Sequence, residues 1–115
     1  MEDLTNNKIK TIRRKLRNTT SSRFLRESME VLGNEDRFLI INLLNKKPCL
    51  LSDIEKSLNR NQPSISHHLR ILEKHKFIHS NNKGKYKEYS ISKETFEKLL
   101  NNWNQWFHEI RSKEY

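Results

Sequence analysis

The 115-residue chain carries a formal net charge of +9, and 32% of its residues are charged. Its length allows one domain with a modest core, and its longest apolar runs are too short to cross a membrane. The excess of cations favours a polyanionic partner such as a nucleic acid. A single cysteine, Cys49, excludes an internal disulfide and indicates a reducing cytoplasm. It is predicted to be a partly buried thiol, with redox sensing through an intersubunit disulfide as the alternative.

Residues 1–21 are predicted to form a polar, basic N-terminal segment. From position 8 onward its charged residues are all basic. Ile9, Ile12 and Leu16 recur at helical spacing. Two interpretations stay open: a disordered arm that adds phosphate contacts, or a short helix that docks on the core or on a partner subunit. Three aliphatic residues make too weak an apolar face to predict a helix on a membrane surface.

Two helices are predicted next, over residues 22–32 and 35–45, because apolar residues recur there at helical spacing. Gly33 lies between them and suits a left-handed backbone at a helix end. The inner side of the first helix is predicted to carry Phe24, Leu25, Met29, and Val31 or Leu32. The second helix is apolar enough to predict a central place in the core. Its apolar residues are Phe38, Leu39, Ile41, Leu43 and Leu44.

The middle of the chain predicts two short helices joined by a polar turn, which is a helix-turn-helix. The first of them opens with Ser52 and Glu55 at capping-box spacing. After the turn, Asn61 is a good N-cap, and Pro63 fits the first turn of a recognition helix over residues 62–75. One face of this helix is apolar and the other is polar and basic, as a helix in a DNA groove requires.

The polar face of the recognition helix has residue types that contact base edges. A helix in the major groove reads bases with its N-terminal residues. We therefore predict base-proximal contacts from Gln62, Ser64 and His67, and a base or phosphate contact from Arg70. His68, at the edge of the apolar face, is predicted to pack inside. The predicted DNA-binding residues of the helix and its cap are Asn61, Gln62, Ser64, His67, Arg70 and Lys74.

No catalytic residue is predicted. The run from Ser66 to His68 superficially suggests hydrolytic chemistry. However, adjacent residues on a helix point apart, and no acid or oxyanion site accompanies them. The sequence therefore predicts a binding protein that is not an enzyme and needs no cofactor.

After the recognition helix the apolar residues lose their helical period, and two short segments separated by a polar turn predict a β-hairpin. Its strands are predicted at residues 77–80 and 86–91, and the wing that contacts DNA at residues 80–90. The turn is basic, and Lys83 and Lys85 are predicted to contact phosphates or the minor groove. Lysines that are merely solvated are the alternative.

The last helix is predicted to follow Ser92, its N-cap. Its apolar stripe is wider and more aromatic than the core of a small domain requires. This surplus predicts an oligomer interface, and an effector pocket lined by the same aromatic residues is the alternative. The predicted interface residues are Leu99, Trp103, Trp106, Phe107 and Ile110.

Three segments resemble the ArsR-type winged-helix repressors: Leu32–Ile41, Asn61–Leu72 and Gly84–Tyr89. The second is similar to the family's recognition helix and is the most specific of the three. The resemblance covers roughly residues 24–92 of the sequence. It implies a homodimer, built from the first and last helices, that binds a palindromic operator and responds to an effector.

The chain departs from the metal-sensing members of that family. Those members have a Cys-X-Cys before an Asp that Asp53 matches, and this chain has Leu50 and Ser52 in the two cysteine positions. Near the chain's end, only His108 and Glu109 could contribute to the family's other sensing site. Because a metal site needs three or four converging ligands, no metal site is predicted.

These observations predict a mostly α-helical protein with a small β-hairpin. We expect a winged helix-turn-helix domain over residues 22–115, with about five helices, a two- or three-stranded wing and a C-terminal dimerisation helix. The predicted function is sequence-specific binding of double-stranded DNA as a homodimeric transcriptional regulator. The sequence does not establish whether an effector controls it, or which one. The alternatives are a chromatin-type binder without sequence preference and a winged helix used as a protein-interaction module.

Overall fold

A computed structural model describes residues 5–18 and 20–112 of the chain. This part contains six helices and one antiparallel sheet of three strands, which confirms the predicted winged helix-turn-helix class with one helix more than predicted. None of the described helices combines the length and apolarity needed to cross a membrane. In chain order the elements are α1 (Asn6–Asn18), α2 (Thr20–Leu32), α3 (Glu35–Lys46), β1 (Cys49–Leu50), α4 (Leu51–Leu58), α5 (Gln62–Lys74), β2 (Ile78–Lys83), β3 (Tyr86–Ile91) and α6 (Lys93–Ser112).

The basic N-terminal segment forms helix α1, and α2 begins at Thr20, two residues before the predicted boundary. The three aliphatic residues of α1 are exposed: Ile9 to 37%, Ile12 to 45% and Leu16 to 68%. The helix therefore presents an apolar stripe and a basic surface to its surroundings. The proposed division of the chain into a segment at 1–21 and a domain from residue 22 stays a prediction.

The core lies between α3, α4, α5 and the sheet, and α2 packs at its side. Phe77, which joins α5 to β2, is among the largest fully buried side chains. Three residues of α5 belong to the buried cluster, so the inner face of α5 packs in the core. The members of the cluster are Val31, Ile40, Leu44, Cys49, Ile54, Ile65, Leu69, Leu72, Phe77, Ile78 and Tyr89.

The inner face of α3 is narrower than predicted. Ile40 and Leu44 are its buried residues, one helical turn apart on the same side. Phe38 and Leu39, which were predicted to be in the core, are 54% and 41% exposed. The apolar residues of α3 lie on several sides of the helix, so its sequence does not define one hydrophobic face. Tertiary contacts therefore decide which of these residues are buried.

The end of α2 differs from the prediction in two ways. Leu25 and Val31 are buried, as predicted, but Ser28 is buried in place of the predicted Met29, which is exposed. Gly33 is not left-handed. A Cβ at this position would lie 2.8 Å from the carbonyl oxygen of Met29, so glycine is required here by a close approach of the backbone.

The start of α4 also differs from the prediction. The helix begins at Leu51, and Ser52 with Glu55 does not form the predicted capping box. Instead, the backbone N–H of Leu50 donates to the carboxylate of Asp53 at 3.2 Å. The carboxylate of Asp53 thus accepts a backbone N–H at the start of the helix. The predicted capping box assigned this capping role to the pair Ser52 and Glu55.

The wing is a three-stranded sheet in the order β1-β3-β2. Cys49 pairs with Tyr89, and Ile78 pairs with Ile91. The second strand runs on to Lys83, beyond the predicted end at residue 80, because Gly84 takes φ +63° and closes a tight turn. The hairpin is therefore longer and its tip sharper than the sequence pattern indicated.

Candidate nucleic-acid interface

The turn between α4 and α5 places the N-terminal end of α5 at the surface. Asn59 ends α4 in the left-handed conformation (φ 52°, ψ 49°), which Asn tolerates better than most residues. The side-chain oxygen of Asn61 accepts the backbone N–H of Ser64 at 3.0 Å, which confirms the predicted N-cap. Pro63 lies in the first turn, where its missing N–H removes no helical bond. The first turn of α5 is thus fixed by its own residues.

Helix α5 divides cleanly into an inner and an outer face. Ile65, Leu69 and Leu72 are buried in the core. Of the predicted DNA-binding residues, Ser64 is half-buried, and the others are exposed. The polar face is therefore open to a partner along the whole helix. The exposed members of this set are Asn61, Gln62, His67, Arg70 and Lys74.

The predicted wing contacts, Lys83 and Lys85, flank Gly84 at the tip of the hairpin and are exposed. The ammonium of Lys83 lies 3.9 Å from the carboxylate of Glu88. Exposed ion pairs of this length contribute little stability, because both charges remain hydrated. Both lysines are therefore free to exchange water for phosphate oxygens.

A polar network beneath α5 was missed by the sequence analysis; we call it the α3–α5 network (Asp36, Arg37, Arg60 and His68). Oδ2 of Asp36 lies 3.3 Å from Nε of Arg60 and 3.6 Å from Nε2 of His68. Arg37 places Nη1 3.3 Å from Nδ1 of His68, and its Nε donates to the carbonyl of Val31 at 2.7 Å. No local pattern indicates the contacts of Asp36 and Arg37 with Arg60 and His68, because they join residues far apart in the chain.

His68 packs at the edge of the inner face, as predicted, with its side chain 12% exposed. Burial lowers the pKa of His68, and the neighbouring guanidinium of Arg37 lowers it further, while the Asp36 carboxylate opposes the shift. The ring is therefore neutral near pH 7. The adjacent His67, in contrast, is exposed on the outer face.

Cys49 is buried more deeply than predicted, at 2% exposure. Its thiol donates to the carbonyl oxygen of Lys47 at 3.3 Å. Burial raises the pKa of the Cys49 thiol, which keeps it protonated and poorly nucleophilic at neutral pH. The interpretation of Cys49 as a redox sensor through an intersubunit disulfide therefore loses its physical basis.

A second open surface lies on α6, none of whose residues is buried in the described chain. Trp103, Trp106 and Phe107 form an aromatic cluster. The rings of Trp103 and Phe107 meet edge to face at 4.7 Å, and those of Trp106 and Phe107 stack at 5.4 Å. Leu99 packs partly against the core, whereas Ile110 is exposed. Trp106 and Phe107 are exposed, and Trp103 is half-buried. Exposed aromatic residues in a cluster are typical of protein interfaces.

Comparison with known proteins identifies the family. The model described as "Bacterial regulatory protein, arsR family" matches residues 34–80, which run from the cap of α3 into β2. The transcriptional repressor SdpR of Bacillus subtilis (strain 168) is 31% identical over 72 residues, which are 63% of this chain and 80% of SdpR. The chain belongs to the ArsR family. It is thus a DNA-binding transcriptional regulator of that family, and the resemblance seen in its sequence is confirmed.

Solved structures of other proteins have the same fold. An ArsR-like regulator from Rhodococcus sp. RHA1 superposes with a TM-score of 0.74 at 18% identity, covering 81% of this chain and 88% of that one. NolR from Sinorhizobium fredii gives a TM-score of 0.61 at 18% identity, over 91% and 95% of the two chains. At such identities these likenesses concern the fold alone.

The segment that carries the ArsR match contains the whole helix-turn-helix. It includes every predicted DNA-binding residue of α5 and its cap, as well as the α3–α5 network. The wing tip with Lys83 and Lys85, helix α1 and the aromatic cluster of α6 lie outside it. For these three parts the family match gives no information, so their roles are inferred from their own residues.

Proposed function

We propose that this ArsR-family regulator binds a palindromic operator as a homodimer, with α5 in the major groove and the wing on the flanking backbone. The observation that carries the proposal is the division of α5. Its inner face is locked in the core, and its outer face is polar, basic and exposed. A helix held in this way presents side chains at fixed positions to base edges.

Each outer residue of α5 has a proposed role. Gln62, at the tip, offers an amide that can pair with adenine. His67 and Ser64 lie next along the same end and contact neighbouring bases, and Arg70 contacts guanine or a phosphate. Asn61 uses its side-chain oxygen for the cap, so its amide N–H groups remain for a phosphate. Lys74 adds a backbone contact at the far end.

The wing and the overall charge supply affinity that does not depend on sequence. Lys83 and Lys85 project from the hairpin tip, and we propose that they bind phosphates beside the major groove. The net charge of +9 attracts the duplex as a whole. Phosphate contacts of this kind set the register of α5, and the outer residues of the helix then select the sequence.

The aromatic cluster of α6, with Leu99 and Ile110, is the proposed dimer interface. Two such surfaces related by a two-fold axis would bury each other's exposed rings. A two-fold dimer also presents two copies of α5, which matches a palindrome whose half-sites are about one helical turn apart. The protein-interaction alternative is disfavoured because the outer face of α5 lacks the apolar anchors that a protein partner would bind.

Selection of bound sequences from random DNA by the purified chain should enrich an inverted repeat. The half-sites should be centred about 10 base pairs apart, or a multiple of that, because two recognition helices of a dimer enter successive major grooves. Sequencing of the bound pool measures the enrichment. A pool that stays random after repeated rounds would establish the chromatin-type alternative instead.

Gln62→Ala and His67→Ala should each weaken binding to the selected operator by about tenfold or more, because removal of one base-reading side chain costs about 1–3 kcal/mol. Binding to a random duplex should change by less than about threefold, since phosphate contacts remain. Gln105→Ala, which removes an exposed amide from α6, is the matched control. An equal weakening on both duplexes would refute the base-reading role of these residues.

A further inference from the structure

The α3–α5 network joins three parts of the chain that must keep a fixed relation if α5 is to read bases. His68 belongs to α5 itself, and Arg60 belongs to the turn that precedes it. Asp36 lies in the first turn of α3 and faces both through the same oxygen, at 3.3 Å from Arg60 and 3.6 Å from His68. Arg37 ties the group to the end of α2 through the carbonyl of Val31 at 2.7 Å.

The geometry selects one tautomer of His68. A guanidinium carries only donors, so Nδ1 of His68 must accept from Nη1 of Arg37 at 3.3 Å. The single proton of the neutral ring is therefore on Nε2, which faces the carboxylate of Asp36. The opposite tautomer would place two N–H groups against each other and a lone pair against the carboxylate.

We propose that His68 is a positioning residue for DNA reading: in its Nε2–H form it fixes the rotation of α5 against α3. Through Asp36 it also fixes Arg60, whose guanidinium we assign to a phosphate contact beside the tip of α5. The inference rests on the proposed function, since a fixed rotation matters only if α5 reads bases. His67 follows this rotation directly, because it is the neighbour of His68 on the outer face.

Protonation of His68 breaks the arrangement. A second proton at Nδ1 points at the Arg37 guanidinium, and attraction to Asp36 offsets the repulsion only in part. The charged groups around the ring are Arg37 and Asp36 from α3, Arg60 from the turn and His67 on the same helix. α4 and β2 also pack on α5, but no charged group from either element shifts the pKa of His68. Specific binding should therefore weaken as pH falls.

Two substitutions separate positioning from packing. His68→Gln places an amide acceptor beside an amide donor, so it can serve Arg37 and Asp36 without titrating. His68→Leu fills similar space with no polar atom. We expect His68→Gln to keep operator affinity within about threefold. His68→Leu should weaken operator binding by about tenfold, and binding to a random duplex by less than about threefold.

The pH profile isolates the ring of His68. Fluorescence anisotropy of operator binding, from about pH 8 to about pH 5.5, should show a larger weakening in acid for the wild type than for His68→Gln. His67 is present in both proteins, so its contribution cancels in the comparison. Parallel pH profiles of the wild type and His68→Gln would overturn the proposal. This comparison does not use His68→Leu, so it remains decisive even if that variant fails to fold.

Nitrogen NMR of the full chain tests the tautomer without DNA. Long-range ¹⁵N–¹H correlations should show the proton of His68 on Nε2, with a pKa of His68 below the ordinary value for a histidine. A proton on Nδ1 would overturn the proposal. A wild type that binds no duplex fails the proposed function, and this inference fails with it. If the wild type binds its operator and the His68→Leu protein binds it equally well, this inference fails while the proposed function stands.

Discussion

DNA binding by this chain should weaken by about 10³-fold or more when monovalent salt rises from about 50 to about 200 mM. Each cation that neutralises a phosphate releases a condensed counterion, and the free energy of that release falls as bulk salt rises. In the proposed homodimer, Arg70, Lys74, Lys83 and Lys85 would provide about 6–10 such contacts, enough for an effect of this size. Fluorescence anisotropy with a labelled duplex, across a salt series, measures it.

The slope of that series also tests the wing. Lys83→Gln combined with Lys85→Gln should reduce the slope of log affinity against log salt by about 0.9 for each phosphate that is no longer neutralised. Lys93→Gln, which removes an exposed cation from the start of α6, should leave the slope unchanged. A wild-type affinity that is flat in salt would contradict an electrostatic interface, and an unchanged slope in the double variant would remove the wing from it.

Trp103→Ala combined with Phe107→Ala should convert the proposed dimer to monomers. Aromatic residues at the centre of an interface contribute about 2 kcal/mol or more each, so the pair should raise the dimer dissociation constant by about 10³-fold. The fold should survive, because α6 has no buried residue within the described chain. Sedimentation velocity measures the assembly, and operator affinity should fall with it because half-sites are then bound singly.

The control for the aromatic cluster is Gln105→Ala, which alters the same helix outside the rings. It should sediment as the wild type does. Circular dichroism of the double variant checks that helical content is retained. A double variant that remains dimeric at the wild-type concentration would contradict the assignment of Trp103 and Phe107, and a monomeric wild type would contradict the homodimer itself.

The recognition helix was predictable because its signals are local. Asn61 and Pro63 mark its start, and the spacing of Ile65, Leu69 and Leu72 marks its inner face. The structure confirms each of these. Such features are set within a few residues of the chain, so one sequence is enough to specify them.

The rest could not be predicted because it depends on contacts between distant residues. Asp36 meets Arg60 and His68 only after α3 and α5 have packed together, so the residues next to it in the sequence do not indicate these contacts. Phe38 and Leu39 were misplaced for a related reason, since nothing in the sequence says which side of α3 the core will cover.

The cap of α5 has a further consequence, which concerns entropy. Because Asn61 and Pro63 order the first turn within the free protein, DNA meets a surface whose backbone is already fixed, and the ordering cost is met during folding. The side chains that form the helix and those that face outward are also different residues. In the proposed complex, substitutions on the outer face would therefore change which bases are preferred while the helix forms as before, so operator preference could diverge among relatives without a loss of stability.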